Sequence, residues 1–466
     1  MIKLNLNENF ICRIWENSSY YSDLRTTSGK YVEMIDPGIR NSDSGPDYYN
    51  AKIRIEEVTY CGCIEIHRSE KDWKIHKHKG DNKYNEVILQ VVFYKDSDYA
   101  EPVDPVVKKS RQIPTVILSE FLTLSVHEIW KEIINNPSEK FRIPCYPENN
   151  KIANEIKRDW LKKLGNDRLK MKTLKIRDRL EMLTGDLNRK VFWEQVMFEF
   201  ICEALGYSKN RKQFLCLSQK TDLIKIRKMR LSRLQTDSVL FGLSGFLKDL
   251  RFKDDYIQSL RYEWNSLKEK IRIDNMDKSE WSFFRLRPAN FPTIRIAYAS
   301  SLMYEIINND MFEKIVGIFE DGQNISKGLG LLFKSPEISP YWKSNYNFGK
   351  KSSSAIASIG NERIRDITVN VLLPIVNLYS DYFGKTNLNS RVNYYYRNQK
   401  QKNGRNEITR VMEKQLGMNS ESIAAEQALI HLHNFYCVKE ACSMCDIGKS
   451  VFGGNAVHEP LRIILY

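Results

Sequence analysis

The chain has 466 residues, with 72 lysines and arginines against 58 aspartates and glutamates, giving a formal charge of +14. A hydrophobic share of 42% supports ordinary buried cores in two or three domains. The absence of any long apolar run argues against a membrane-spanning chain, and the polar residues after Met1-Ile2-Lys3-Leu4-Asn5 argue against a signal peptide. A cytoplasmic location, nine mainly reduced cysteines and an anionic partner are therefore expected, with nucleic acid as the leading candidate, DNA ahead of RNA, and no membrane.

From the N-terminus, residues 7–17 read as a helix with Phe10, Ile14 and Trp15 inward. Residues 30–35 suit a strand, and Asp36-Pro37-Gly38 and residues 41–46 then break the chain with turn formers. Residues 48–55 read as a second strand. Residues 62–67 read as a third, in which Cys63, Glu65 and His67 share one face and Ile64 and Ile66 the other. A polar, irregular or helical segment at 73–84 leads to an apolar fourth strand at 87–94. Prolines and a basic run at 98–111 suggest an exposed connection, followed by strand or turn and then helix over 116–134. Pro144 and Pro147 mark the main boundary, dividing the chain into 1–145 and 146–466. Beyond it, apolar residues recur at helical spacing over 152–166, 169–184 and 186–205, with Gly206 as a stop. The expected fold class is α+β, an N-terminal mixed sheet with flanking helices followed by a larger, mainly α-helical region.

The chemistry concentrates in the first part. Asp47 follows a turn, and Glu65-Ile66-His67 lies about one hairpin later. Two such carboxylates can converge on one divalent ion while a basic side chain orients the attacking water. Asp47 can equally close an Asx turn after proline, with Glu65 a half-exposed strand residue. His67, His76 and His78 form a second constellation. They suit zinc or another transition metal if they converge, or His76 and His78 can donate hydrogen bonds along a phosphate path.

On these residues two resemblances rest. The element order, with Pro46-Asp47 and Glu65-x-His67 on adjacent strands, resembles the core of the PD-(D/E)xK nuclease superfamily over about the first hundred residues. The chain as a whole resembles a bacterial domain-of-unknown-function family, number 2851. That likeness rests on Ser44-Gly45-Pro46-Asp47, Glu65-Ile66-His67, Asp72-Trp73, His76-x-His78, Val87-Ile88-Leu89, Arg287-Pro288-x-Asn290-x-Pro292-x-x-Arg295 and the terminal cysteines. The nuclease likeness implies Asp47 and Glu65 as ligands of Mg²⁺ or Mn²⁺, with the Ile66 carbonyl as a third. His67 stands where that superfamily has lysine, and it lacks the permanent charge. Lys52 and Lys74 are nearby substitutes, and Glu8 is a further acidic contributor.

Several basic segments suit phosphate contact. They are the cluster from Lys162 to Arg179, the Arg285-Leu286-Arg287 loop with Arg295, and Tyr394-Tyr395-Tyr396 beside Arg397. Each also suits an ordinary solvated face or a clamp between helices. Cys437, Cys442 and Cys445 place three thiols close together, which points to zinc or an iron–sulfur cluster, with Cys12 or His433 as fourth ligand. The expected function is a metal-dependent nuclease. The alternatives are a nucleic-acid-binding protein with a degenerate core, and a histidine-based zinc enzyme.

Overall fold

The computed structural model describes residues 8–41, 44–76, 78, 81–95, 111–135, 143, 145–184, 186–248, 254–284, 286–352, 359–400, 406–439 and 441–452. The chain forms two compact units, Met1–Lys140 and Phe141–Tyr466. The division falls slightly before the 145/146 boundary read from the prolines.

The first unit runs α1 (Glu8–Trp15), β1 (Val32–Asp36), β2 (Ile39–Arg40), β3 (Tyr48–Ile55), β4 (Val58–Ser69), α2 (Asp72–Ile75), β5 (Val87–Tyr94), β6 (Thr115–Ile117) and α3 (Val126–Asn135). Across the sheet the order is β1-β3-β4-β5-β6, with β2 paired to β3. The β1–β3 and β3–β4 pairs are antiparallel, whereas β4–β5 and β5–β6 are parallel. The sheet is therefore mixed. The exposed connection expected over 98–111 lies almost wholly outside the described residues.

The layering follows from the residues. β5 reads Val-Ile-Leu-Gln-Val-Val-Phe-Tyr and is buried along nearly its whole length, as a central strand covered on both faces requires. On one face, Ile11, Ile14 and Trp15 of α1 join Ile53, Ile64 and Leu89 in a core. A smaller group on the other side contains Cys63, Trp73, Tyr84, Val87 and Ile113. β4 begins at Val58, earlier than the strand read from sequence, because a tight turn at Glu56 pairs Ile55 with Val58. Its first four residues, Val58 to Cys61, are exposed. A register slip between Cys63 and Ile64 then re-aims β4 just before Glu65.

The second unit is mainly helical. The segments 152–166 and 169–184 prove to be one continuous helix, Asn154–Leu183. Gly165 does not interrupt it, because its missing side chain lets the helix Ile423–Leu432 approach: a Cβ there would lie 2.8 Å from the Ala424 carbonyl oxygen. Among the described residues, no helix is long and apolar enough to cross a membrane.

A comparable close approach makes a prediction whose sign is informative. Gly242, in the helix Arg233–Leu243, lies under Trp264 of the helix Asp255–Ile271, and a Cβ would fall 2.1 Å from the indole. Helix propensity alone makes Gly→Ala stabilising by up to about 1 kcal/mol. Overpacking is the larger effect, so Gly242→Ala is expected to destabilise by about 1–3 kcal/mol. Denaturant unfolding of the full chain measures this, and a stabilised variant would refute the packing argument.

Candidate metal centre

The turn before β3 is fixed by Asn41. Its backbone N–H donates to the Asp47 carbonyl (2.6 Å) and its side-chain amide donates to the Pro46 carbonyl (2.9 Å). Gly45 takes a φ of +120°, a conformation that favours glycine. This turn delivers Asp47 to Glu65 on β4. The two residues then brace each other reciprocally across the strands. The Asp47 N–H donates to Glu65 Oε2 at 3.1 Å, and the Ile66 N–H donates to Asp47 Oδ2 at 2.9 Å.

The other Glu65 oxygen faces histidine. Its Oε1 lies 3.4 Å from His67 Nε2 and 3.2 Å from His78 Nε2, and the two Nε2 atoms are 3.2 Å apart. His76 completes the set, since one nitrogen from each of His67, His76 and His78 lies within 4.8 Å of the others. The segment after β4 holds them in place. The Ser69 N–H donates to Asp72 Oδ2 (3.0 Å), Trp73 meets His67 and His78 edge-on, and Tyr84 stacks on His78 with ring centres 3.9 Å apart. From β5, Gln90 Nε2 contacts His67 Nδ1 at 3.0 Å, while Thr115 of β6 donates to Gln90 Oε1 at 3.3 Å.

Burial, followed by the charge of Asp47, holds the Glu65 carboxyl well above the usual carboxylate range, although the Asp47 N–H opposes this. The charge of Glu8 adds a smaller upward push. Burial also lowers both inner histidines, reinforced by their histidine neighbours: His67 well below its ordinary range and His78 to about 4. These imidazoles are therefore neutral at pH 7, as metal ligation requires. His67 Nδ1 can accept from the Gln90 amide, or donate to it if the amide is turned, and the second arrangement leaves Nε2 free for a cation. A mixed set of carboxylates and imidazoles fits a divalent transition metal such as Mn²⁺ or Zn²⁺ more closely than Mg²⁺, which prefers oxygen alone.

The structure thus brings Asp47, Glu65 and His67 together, and it seats His76 and His78 against them rather than along a separate path. Sequence reading missed Trp73, Tyr84, Gln90 and Lys83. Gln90 had a visible signal as the one amide in an apolar strand. Lys83 stands at the Asp47 turn, where its Nζ donates to Ser44 Oγ at 2.6 Å.

The basic segments of the second unit fare differently. Arg285 lies outside the described residues, and Arg287 is exposed. Arg295 is only 4% exposed, donates to Asn290 and lies over the Tyr207 ring, which is the clamp arrangement rather than a surface offered to phosphate. Arg168 and Lys172 bond Gln427, Lys175 pairs with Glu203, and Arg179 pairs with Glu199. Of the three tyrosines, Tyr395 and Tyr396 are buried and only Tyr394 is open for stacking.

No curated protein and no solved structure matches the chain. A family-level comparison does match it, over residues 8–405, a stretch that contains the whole metal-centre constellation and ends before the terminal cysteines. That span is most of the 466 residues, and the chain belongs to the family described as "Protein of unknown function (DUF2851)".

Proposed function

We propose that the first unit is a divalent-metal-dependent nuclease hydrolysing phosphodiester bonds, with DNA as the first substrate to test. One observation carries this reading: three imidazoles converge beside the Glu65 carboxylate, which lies within 3.4 Å of two histidine nitrogens and accepts from the N–H of Asp47. Further support comes from the helix, three antiparallel strands, short helix and parallel strand, the order that the nuclease resemblance implies. The excess of basic residues and Lys83 at the Asp47 turn suit an anionic substrate.

In this reading Asp47 and Glu65, with one or more imidazoles, hold Mn²⁺ or Mg²⁺. Such an ion would supply Lewis acidity toward the phosphodiester and a lowered pKa for bound water. The Ile66 N–H keeps Asp47 from swinging away, and the Gln90 amide fixes the His67 ring. His76, the exposed member of the trio, is placed to take a proton from an attacking water. Lys83 offers the permanent charge that His67 lacks. The three imidazoles also favour a second reading, a zinc-dependent hydrolase acting on another substrate, built on the same side chains.

Cleavage assays on DNA and RNA with Mn²⁺, Mg²⁺ or Zn²⁺ separate the two. The nuclease reading expects Mn²⁺- or Mg²⁺-supported cleavage, with Asp47→Asn and Glu65→Gln each reducing the rate by roughly 10²-fold or more. Cleavage that survives both substitutions in correctly folded protein would sink it. Zinc binding without nuclease activity would favour the second reading, and salt-sensitive DNA binding without turnover would identify a degenerate core.

Glu65 adds a pH signature. Its folded-state pKa lies above the ordinary value of 4.5. Its contribution to metal-free stability is therefore full below that value and is lost as the pH rises through the folded pKa. An ion must displace this proton, so stabilisation by Mn²⁺ is expected to grow as the pH rises above 4.5. His78, which protonates only near 4, contributes little to this slope. Melting temperatures with and without Mn²⁺ test the point: Glu65→Gln should flatten the pH dependence, and an unchanged slope would exclude Glu65 as the displaced group.

A further inference from the structure

The three late cysteines of the second unit have a fourth companion that sequence spacing did not identify. Cys437 ends a π-helical turn (His433–Cys437), Cys442 opens the 3-10 turn Cys442–Met444, and Cys445 directly precedes the helix Asp446–Phe452. The chain doubles back here. The Ala441 N–H donates to the Tyr436 carbonyl (2.9 Å) and the Cys445 N–H to the Cys442 carbonyl (3.2 Å). Gly448 lies so close to Cys442 that a Cβ would sit 2.4 Å from its carbonyl oxygen. Cys145, from a distant part of the sequence, shares one apolar nest with Cys445, together with Ile143, Trp160, Leu432 and Ile447. None of the four is in a disulfide.

We infer that Cys145, Cys437, Cys442 and Cys445 ligate one polynuclear iron–sulfur cluster. The thiols are near enough that the charge of each of Cys145, Cys442 and Cys445 is felt at Cys437. They are also widely spread, for no three of their sulfurs lie within 4.8 Å of one another. A tetrahedral zinc site with 2.3 Å bonds holds its sulfurs about 3.8 Å apart. In a cluster with several irons, thiolates bind different metal atoms and stand farther apart, and the x4 and x2 spacings occur in such ligation.

Donor groups around Cys445 oppose the upward push of burial on its thiol. The Ile447 and Gly448 N–H groups point at the Cys445 sulfur. The indole N–H of Trp160, a side chain only 4% exposed, faces the same sulfur yet completes no hydrogen bond to any protein atom. Hydrogen bonds to sulfur stabilise the thiolate and tune a cluster's potential. Beneath Cys145, the buried amine of Lys157 donates to the Asn149 and Leu416 carbonyls and offsets negative charge. Burial pushes Cys145 up to about 11 and Cys437 higher still, so loading must release protons. The earlier candidates for the fourth ligand are replaced. Cys12 is buried beside Tyr48 in the core of the first unit, and the His433 ring contacts Asn434.

This inference is independent of the nuclease reading. It is tested on the full chain purified without oxygen, with iron, acid-labile sulfide and zinc measured alongside visible absorption. Iron and sulfide in equal amounts with broad visible absorption are expected, lost in Cys145→Ser and kept in Cys12→Ser. If Cys145→Ser fails to fold, Cys442→Ser, which alters a half-exposed thiol, must lose the iron while keeping the wild-type circular dichroism. Stoichiometric zinc without sulfide, a wild-type protein that stays colourless after anaerobic reconstitution with iron and sulfide, or full cluster content in Cys145→Ser would overturn it.

Discussion

The first unit is organised around the reciprocal bond between β3 and β4, in which Asp47 and Glu65 each take a backbone N–H from the other strand's segment. A carboxyl as buried as Glu65 is costly unless its oxygens are bonded, and one backbone amide satisfies only part of that need. The remaining oxygen is turned to two imidazoles that are themselves neutral. Without a cation, the group relieves the strain by holding its proton. In the proposed reading, a cation would take these oxygens and nitrogens as its donors. The slip in β4 and the turn at Gly45 both serve to place these atoms.

A polar row crosses the sheet at this level, from Glu65 and His67 through Gln90 to Thr115, spanning β4, β5 and β6. Each unsatisfied buried polar group would cost about 1–3 kcal/mol. Linking the groups in series lets an otherwise apolar parallel sheet carry them. It also ties ring orientation to strand register, since Glu65 pairs with Gln90 and His67 with Val92. A shift by one residue would send the whole row into the face covered by α1. The core beneath α1 therefore specifies the chemistry on the opposite face.

What could be read from sequence depended on the range of the interaction. Period-two alternation was enough to place Glu65 and His67 on one face, and the short separation of His76 from His78 was enough to group them. The unbroken apolar run of 87–94 announced a central strand, and its lone Gln90 was legible but unused. The errors lie where distant residues decide. The segments 152–166 and 169–184 look separate until the helix is seen to run through both, and Arg168, Lys172, Lys175 and Arg179 look like a phosphate-binding face until Gln427, Glu199 and Glu203 are seen opposite. Formal charge counts groups and not their partners. Cys145 likewise has nothing local that ties it to the late cysteines, although it packs in one core group with Cys445.

The donor atoms of the two units differ in kind, and this bears on how one chain could hold two inorganic groups without exchange. Oxygen and imidazole nitrogen suit borderline and harder divalent ions, whereas four thiolates suit iron–sulfur or zinc. Their protonation differs as well. The inner imidazoles already expose lone pairs at neutral pH, so binding there displaces chiefly the proton on Glu65. The thiols must give up protons that burial and mutual repulsion hold tightly. A free divalent ion can exploit the first situation. Any metal held in the second would have to offset the loss of several protons from an apolar nest.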